Sequence, residues 1–302
     1  MQKSIIKRLY EHRLLYVLLV PALLYFAVFC YVPLYGIILA FKEFNFRLGI
    51  LNSPWVGFGN FQTLFHLPDF KRAFVNTILI SLGRLVFEFP APIILALLLN
   101  EVASTKLKRW MQTVFTFPHF LSWVVISGVL VNMFGDGGVI NQALVAFGLD
   151  KTDVLVNAST YKAFLFISNV WKEIGWGAII YLAAIAGVSP DLYEAAYVDG
   201  ANRFHRILYV TWPGIRSTIA IMFILAIGGI MNGGFDQVFN LYNPPVYETA
   251  DILDTFIFRY SIQSGNSFGI ATAVGLLKSI IAFAMLWGAN YSVRKFGEQG
   301  LL

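Results

Sequence analysis

The residues whose types and spacing suggest chemistry are the ionisable side chains inside long apolar runs. Near the centre of a bilayer such a group costs at least about 2.5–3.5 kcal/mol unless it meets a partner or water. Arg84, Glu88, Lys172, Glu173 and Lys278 qualify. Arg84 and Glu88 stand four apart, so they share a helix face and can pair, which is all that a buried pair holding helices in register requires. The stretch NVWKEIGWGAIIYLAA sets Asn169, Trp171, Lys172, Glu173 and Trp176 together. Aromatic faces beside hydrogen-bonding groups suit a carbohydrate, whose C–H faces stack and whose hydroxyls need polar partners. Lys172 would attract an anionic substrate. The same residues also suit a structural role, with the tryptophans at an interface and Lys172 and Glu173 bonded to a neighbouring helix. Further on, GGIMNGGFD holds Asn232 between Gly229 and Gly233, a spacing that close helix packing explains without a ligand.

No catalytic constellation accompanies them. His12, His66, His119 and His205 are scattered and form no H-E-x-x-H, so no metal site is expected, and Lys278-Ser279 lacks the glycine-rich loop of a phosphate-binding motif. Asp136 in FGDGG reads as a turn residue, and the single cysteine, Cys30, can form no intramolecular disulfide. The chain reads as a non-enzyme without a cofactor of its own.

Positioning these residues falls to membrane helices. A hydrophobic fraction of 58%, only 13% charged residues and a mean hydropathy of +0.68 mark an integral membrane protein. The net charge of +5 is carried in short clusters beside apolar runs, which argues against nucleic acid. The basic-then-apolar start resembles a signal peptide, yet no A-x-A site follows and bulky Phe29 precedes Cys30, so it reads as an uncleaved first span. Apolar stretches of crossing length lie at 14–40, 73–99, 111–134, 161–188, 215–235 and 268–293. The expected fold is therefore all-α with six transmembrane helices: a single membrane domain over 14–293, a segment 1–13 before it and a tail 294–302 after it. With the N-terminus cytoplasmic, about 12 Lys and Arg fall inside, including Lys106, Lys108, Arg109, Arg203 and Arg206, against about 7 outside. That bias sets both termini in the cytoplasm. Three connections, 42–72, 135–160 and 236–267, would face outward, and their apolar content suggests an interface or a partner.

Between the fourth and fifth spans lies a polar interruption at 189–213, SPDLYEAAYVDGANRFHRILYVTWP. Ser189 can cap a helix, Pro190 suits its first position, Asp191 and Glu194 complement its dipole, and Gly200 ends it. A second helical piece is expected from 202 to about 210, with Pro213 ending it.

This interruption resembles the cytoplasmic loop of inner-membrane permeases of binding-protein-dependent ABC importers: E-A-A, three residues, Gly, nine residues, I-x-L-P. Here Glu194-Ala195-Ala196 precedes Gly200 and Val210-Thr211-Trp212-Pro213, with Val for Ile and Trp for Leu. FPAPIILALLLNE, FPHFLSWVVISG, WKEIGWGAIIYLAA and the terminal GEQGLL are similar to the oligosaccharide and polysaccharide branch, relatives of the maltose importer subunits. The resemblance implies a type I importer permease in the bacterial cytoplasmic (inner) membrane. It would work with a second homologous permease, two cytoplasmic ATPase subunits that bind ATP and Mg, and an extracytoplasmic solute-binding protein. The helix between Pro190 and Gly200, in the loop 189–213, would be the coupling helix, with Tyr193, Glu194, Ala195, Ala196, Asp199, Gly200, Ala201, Arg203 and Pro213 as ATPase-coupling residues. Asn169, Trp171, Lys172, Glu173, Trp176 and Asn232 would be candidates for the substrate path. The cargo would be an oligosaccharide, with uronic-acid oligomers left open by Lys172. The competing class is a self-sufficient secondary transporter or channel in which the intramembrane charges relay ions.

Overall fold

The computed structural model describes residues 12–263, 265 and 268–295, and among them every long element is helical. Helix α1, Arg13–Phe41, starts as an α-helix, widens to a π turn at Ala27–Tyr31 and tightens to a 3-10 helix at Val32–Phe41. Pro21 and Pro33 withhold backbone donors along it, which is where such departures from regular α geometry are expected. Then come α2 (Pro68–Phe87), α3 (Pro90–Asn100), α4 (Thr105–Thr116), α5 (Trp123–Phe134), α6 (Val139–Ala146) and α7 (Ala158–Ala186). They are followed by α8 (Pro190–Val198), α9 (Trp212–Gly228), α10 (Phe235–Leu241), α11 (Leu253–Phe258) and α12 (Phe268–Lys295).

Among the described residues five helical stretches are long and apolar enough to cross a membrane, and the bent pair α7–α8, with its 72° break, brings the number to six when counted as one span. Six spans agree with the sequence expectation, but two of the segments are built differently. The expected third span, 111–134, is not one helix: Phe117–Phe120 form a 3-10 turn around buried Pro118, and Ser122 restarts the chain by capping α5 through Val125 N at 3.3 Å. Apolarity carries through this break, and backbone continuity does not. The expected stop at Pro213 is also corrected. The helix begins at Arg203–Arg206, passes through a π turn at Ile207–Thr211 and continues as α9, so Pro213 lies inside a continuous helix just after the π turn, which is where a residue without an N–H can be accommodated. It ends at Gly228 rather than 235. Gly229 caps that end, while Gly233 and Gly234 have φ of 54° and 76°, so these glycines serve a left-handed turn and not a helix-packing face.

Two compact units are present. One comprises the described residues up to His66 with Tyr260–Leu276. In it Lys42 is buried, its ammonium donating to the carbonyls of Ile50 (2.9 Å) and Leu51 (2.6 Å), while Asn60 Nδ2 donates to the carbonyls of Ala40 (2.9 Å) and Lys42 (3.0 Å). This buried charge closes the connection after α1. Most of the segment 1–13, the tail beyond 295 and part of the end of the third connection lie outside the described residues.

The second unit holds Leu67–Arg259 and the described residues from Leu277 to Lys295. Within it the third connection is not a loose loop. Ile252, Leu253 and Phe256 are fully buried, Leu253 N donates to Thr77 Oγ1 on α2 at 2.8 Å, and buried Asp251 receives both guanidinium nitrogens of Arg259 at 3.0 and 2.7 Å. That hydrogen bonding holds the Arg259 guanidinium above its ordinary pKa. Asn141 secures the second connection: its Nδ2 donates to the carbonyls of Gly135 (2.9 Å) and Thr152 (3.0 Å), and its Oδ1 accepts from Thr152 N (2.7 Å). The buried apolar residues of the third connection, Val246, Ala250 and Ile252, join the core formed with Ile80, Leu130 and Leu165, whereas Trp55, Phe58, Val139 and Phe147 of the first two connections remain exposed.

Candidate coupling helix and translocation path

The interruption at 189–213 folds as its local chemistry dictates. Ser189 Oγ accepts from Asp191 N at 3.3 Å, and Pro190 occupies the first turn. At the other end Ala201 N bonds the Ala196 carbonyl (2.9 Å) and Gly200 N the Tyr197 carbonyl (3.0 Å), with Gly200 at φ 78°. That pair of bonds around a left-handed glycine is the Schellman stop. Asn202 then caps the next turn through His205 N at 2.9 Å.

Helix α8 is fixed at both of its borders with α9. Tyr193 turns inward and its hydroxyl meets the Oγ1 of buried Thr211 at 3.0 Å. Before the helix, Val188 packs so closely on Gly214 that a Cβ there would lie 2.7 Å from Val188 Cγ2. Leu192, Tyr197 and Val198 are 55%, 73% and 84% exposed, spread round the helix by the 100° step, and Glu194, Ala195, Asp199 and Arg203 are exposed among them. Ala196 is half-buried, and Pro213 is exposed in the first turn of α9. The Tyr193–Thr211 bond and the Val188–Gly214 contact tie this short helix to the start of α9.

Within the helical bundle four of the five charged groups, Arg84, Glu88, Lys172 and Glu173, are gathered into two clusters. In the first, Arg84 Nε on α2 lies 3.7 Å from Glu88 Oε1, and Asn169 Nδ2 on α7 donates to Glu88 Oε2 at 2.6 Å. Arg84 also donates to Gln237 Oε1 on α10, and Gln237 Nε2 donates to Ser168 Oγ (2.9 Å) and to the Leu165 carbonyl (2.8 Å). Ser81 Oγ donates to the Ile230 carbonyl at 2.5 Å. Gly234 lets this happen, because a Cβ there would collide with the Arg84 guanidinium. Ser81, Arg84, Glu88 and Asn232 line a cavity of about 570 Å³ between α2, α7 and α9.

In the second cluster Lys172 Nζ donates to the His119 carbonyl (2.9 Å) and to Glu173 Oε1 (2.8 Å), and Glu173 Oε2 is 2.6 Å from His119 Nδ1. The His119 ring stacks on Trp176 at 4.4 Å between centroids. Of the six path candidates, Lys172, Glu173 and Trp176 are therefore together, Asn169 joins the Arg84 cluster, and Asn232 reaches the cavity wall. Trp171 stands apart: 200° round the helix from Asn169 by the 100° step, it faces outward and is exposed. Lys278 pairs elsewhere, with Asp254 at 2.6 Å.

Sequence reasoning missed Gln237, Ser168 and His119. Gln237 lies beyond the expected end of span five, in what read as an outer loop, and carries no charge to flag it. His119 was weighed only as a metal ligand; its place in FPHF, between two apolar runs, was the available signal.

Residues 88–297 match the family model described as the binding-protein-dependent transport system inner membrane component. The chain belongs to that family. Its members are transport permeases, not enzymes, and ABC importers of this kind pair the permease with a substrate-binding protein and an ATPase. The permease is 43% identical to Protein LplB of Bacillus subtilis (strain 168), over 95% of this chain and 90% of that protein. To the polygalacturonan/rhamnogalacturonan transport system permease protein YteP of the same organism it is 40% identical, over 99% and 94%. A permease chain from the crystal structure of a bacterial alginate ABC transporter, in complex with an alginate pentasaccharide-bound periplasmic protein, superposes with a TM-score of 0.91 at 37% identity. That match covers 99% of this chain and 100% of the other.

Proposed function

We propose that this permease passes an acidic, uronic-acid-containing oligosaccharide through the cytoplasmic membrane by alternating access, driven by ATP hydrolysis on a partner. The observation that carries the substrate class is whole-length likeness to permeases named for polygalacturonan and alginate transport, acidic polysaccharides both. The complex would hold a second homologous permease, two ATPase subunits and an extracytoplasmic binding protein, with both termini of this chain in the cytoplasm. ATP and Mg would sit on the ATPases.

Helix α8 is the proposed contact with an ATPase: Leu192, Ala195, Ala196 and Tyr197 enter a groove, Glu194 and Arg203 flank it, and Gly200 with Ala201 holds the angle to α9. The outer cleft of about 560 Å³, lined by Asp136, Lys151, Asn240, Tyr242 and Asn243 from two connections, is the proposed seat of the binding protein. Asn169, Glu173, Trp176 and Asn232 are the proposed path residues, with Arg84 and Glu88 beside them. Reconstituted with its partners, the transporter is expected to accumulate trigalacturonate only with ATP and binding protein present. Uptake by the permease alone under a proton or sodium gradient would instead favour a secondary transporter.

The Tyr193 hydroxyl gives a smaller test of the coupling helix. Tyr193→Phe removes one hydrogen bond, worth about 0.5–1.5 kcal/mol, from the joint with Thr211. Sugar imported per ATP hydrolysed is expected to fall several-fold at unchanged complex yield; an unchanged ratio would show that the joint is not used.

A further inference from the structure

Helix α4 has three faces. Met111 and Phe115 pack against the buried cluster of Ile93, Leu99 and Tyr181, and Leu107, Trp110 and Val114 form an exposed apolar stripe. The third face is polar: Thr105, Arg109, Gln112 and Thr116, at steps of four, three and four, fall within an arc of about 60°. It leads into a cavity of about 430 Å³ lined by Gln112, Thr113, Thr116, Phe117, Phe120 and Ile179, among others.

Among the described residues neither the Gln112 nor the Thr116 side chain hydrogen-bonds a protein group, and the Arg109 guanidinium has no ion pair. Arg84 and Lys172 are engaged with Glu88 and Glu173, so their charges are already answered. A stripe of amide, hydroxyl and guanidinium groups does not face acyl chains when the same helix offers them a separate apolar stripe. Exposed Phe117 and Phe120 add apolar faces at its upper end. Free donors and acceptors, a free cation and flanking aromatic rings complement a chain of uronic acids.

We propose that the polar stripe of α4, Arg109, Gln112 and Thr116, is a track along which the acidic oligosaccharide leaves the permease. This rests on the acidic-oligosaccharide reading above. The test is initial trigalacturonate uptake by the whole reconstituted transporter, read beside binding-protein-stimulated ATP hydrolysis. Arg109→Glu is expected to lower uptake about tenfold, the worth of one charge-assisted hydrogen bond, with Arg109→Lys within a few-fold of wild type. The double variant Gln112→Leu/Thr116→Val is expected to lower uptake similarly, with ATP hydrolysis and subunit recovery retained. Normal uptake in both Arg109→Glu and the double variant would place the stripe against lipid and overturn the proposal. Loss of the second permease on purification would place it in the subunit interface and overturn it equally. Absence of trigalacturonate uptake in the wild type would sink the acidic-substrate reading itself, a different failure from normal uptake in the variants.

Discussion

Gly200→Val is expected to reduce ATP-driven uptake to background while the complex still assembles. Gly200 sits at φ 78° with open space where a Cβ would go, so the substitution meets no neighbour and acts through the backbone alone. A left-handed conformation costs an L-residue about 1–2 kcal/mol, and a β-branched one more. The cheapest escape is to abandon the left-handed turn, and with it the two bonds from Gly200 and Ala201 that end α8. The angle between α8 and α9 is lost, and under the proposed coupling role a push on α8 then no longer tilts the span. Gly200→Asn provides the control, because asparagine tolerates this conformation; it is expected to retain most of the uptake. Equal loss in Asn and Val would point to a contact at Gly200 rather than to its conformation.

The second large effect is on stability. Arg84→Met leaves Glu88, half-buried between α2 and α7, with Asn169 as its remaining partner, and removes the donor to Gln237. Breaking a buried pair on one side costs about 3–5 kcal/mol, whereas replacing both partners with apolar groups of similar volume is often near neutral. Arg84→Met is expected to lower the melting temperature of the detergent-solubilised transporter strongly, and Arg84→Met/Glu88→Met to recover most of that loss. A double variant as unstable as the single one would show that Arg84 serves Gln237 and the Gly233-Gly234 turn more than it serves Glu88.

Local rules made part of this molecule legible in its sequence. Helix α8 could be bounded because Ser189, Pro190 and Gly200 act within a few residues of themselves, and the six-span count follows from apolar length alone. The i, i+4 pairing of Arg84 with Glu88 was legible for the same reason. What was not legible depends on partners far along the chain. Pro118 breaks a run that is apolar throughout, and Pro213 fails to break one because a π turn precedes it. Gly229 and Gly233 have helix-packing spacing but meet a turn built for Arg84 and Ile252. Gln237 and His119 become significant only when α10 and the Phe117–Phe120 turn are brought against α7. Trp171 and Trp176, neighbours in an aromatic-rich string, point to different sides once helical phase is applied. Trp212, half-exposed at the start of α9 where the family pattern has Leu, is explained by nothing in the structure.

The coupling helix itself is tested most directly by covalent capture. A photoreactive amino acid placed at Ala196 or Val198, within the whole transporter in its membrane, should form an adduct with the ATP-binding subunit, and ATP with Mg should change its yield. The same probe on the outer connection, at Asp136, should form none. Adducts at Asp136 but not at Ala196 or Val198, in a transporter that still imports sugar, would contradict the assignment of α8 as the joint between ATP hydrolysis and transport.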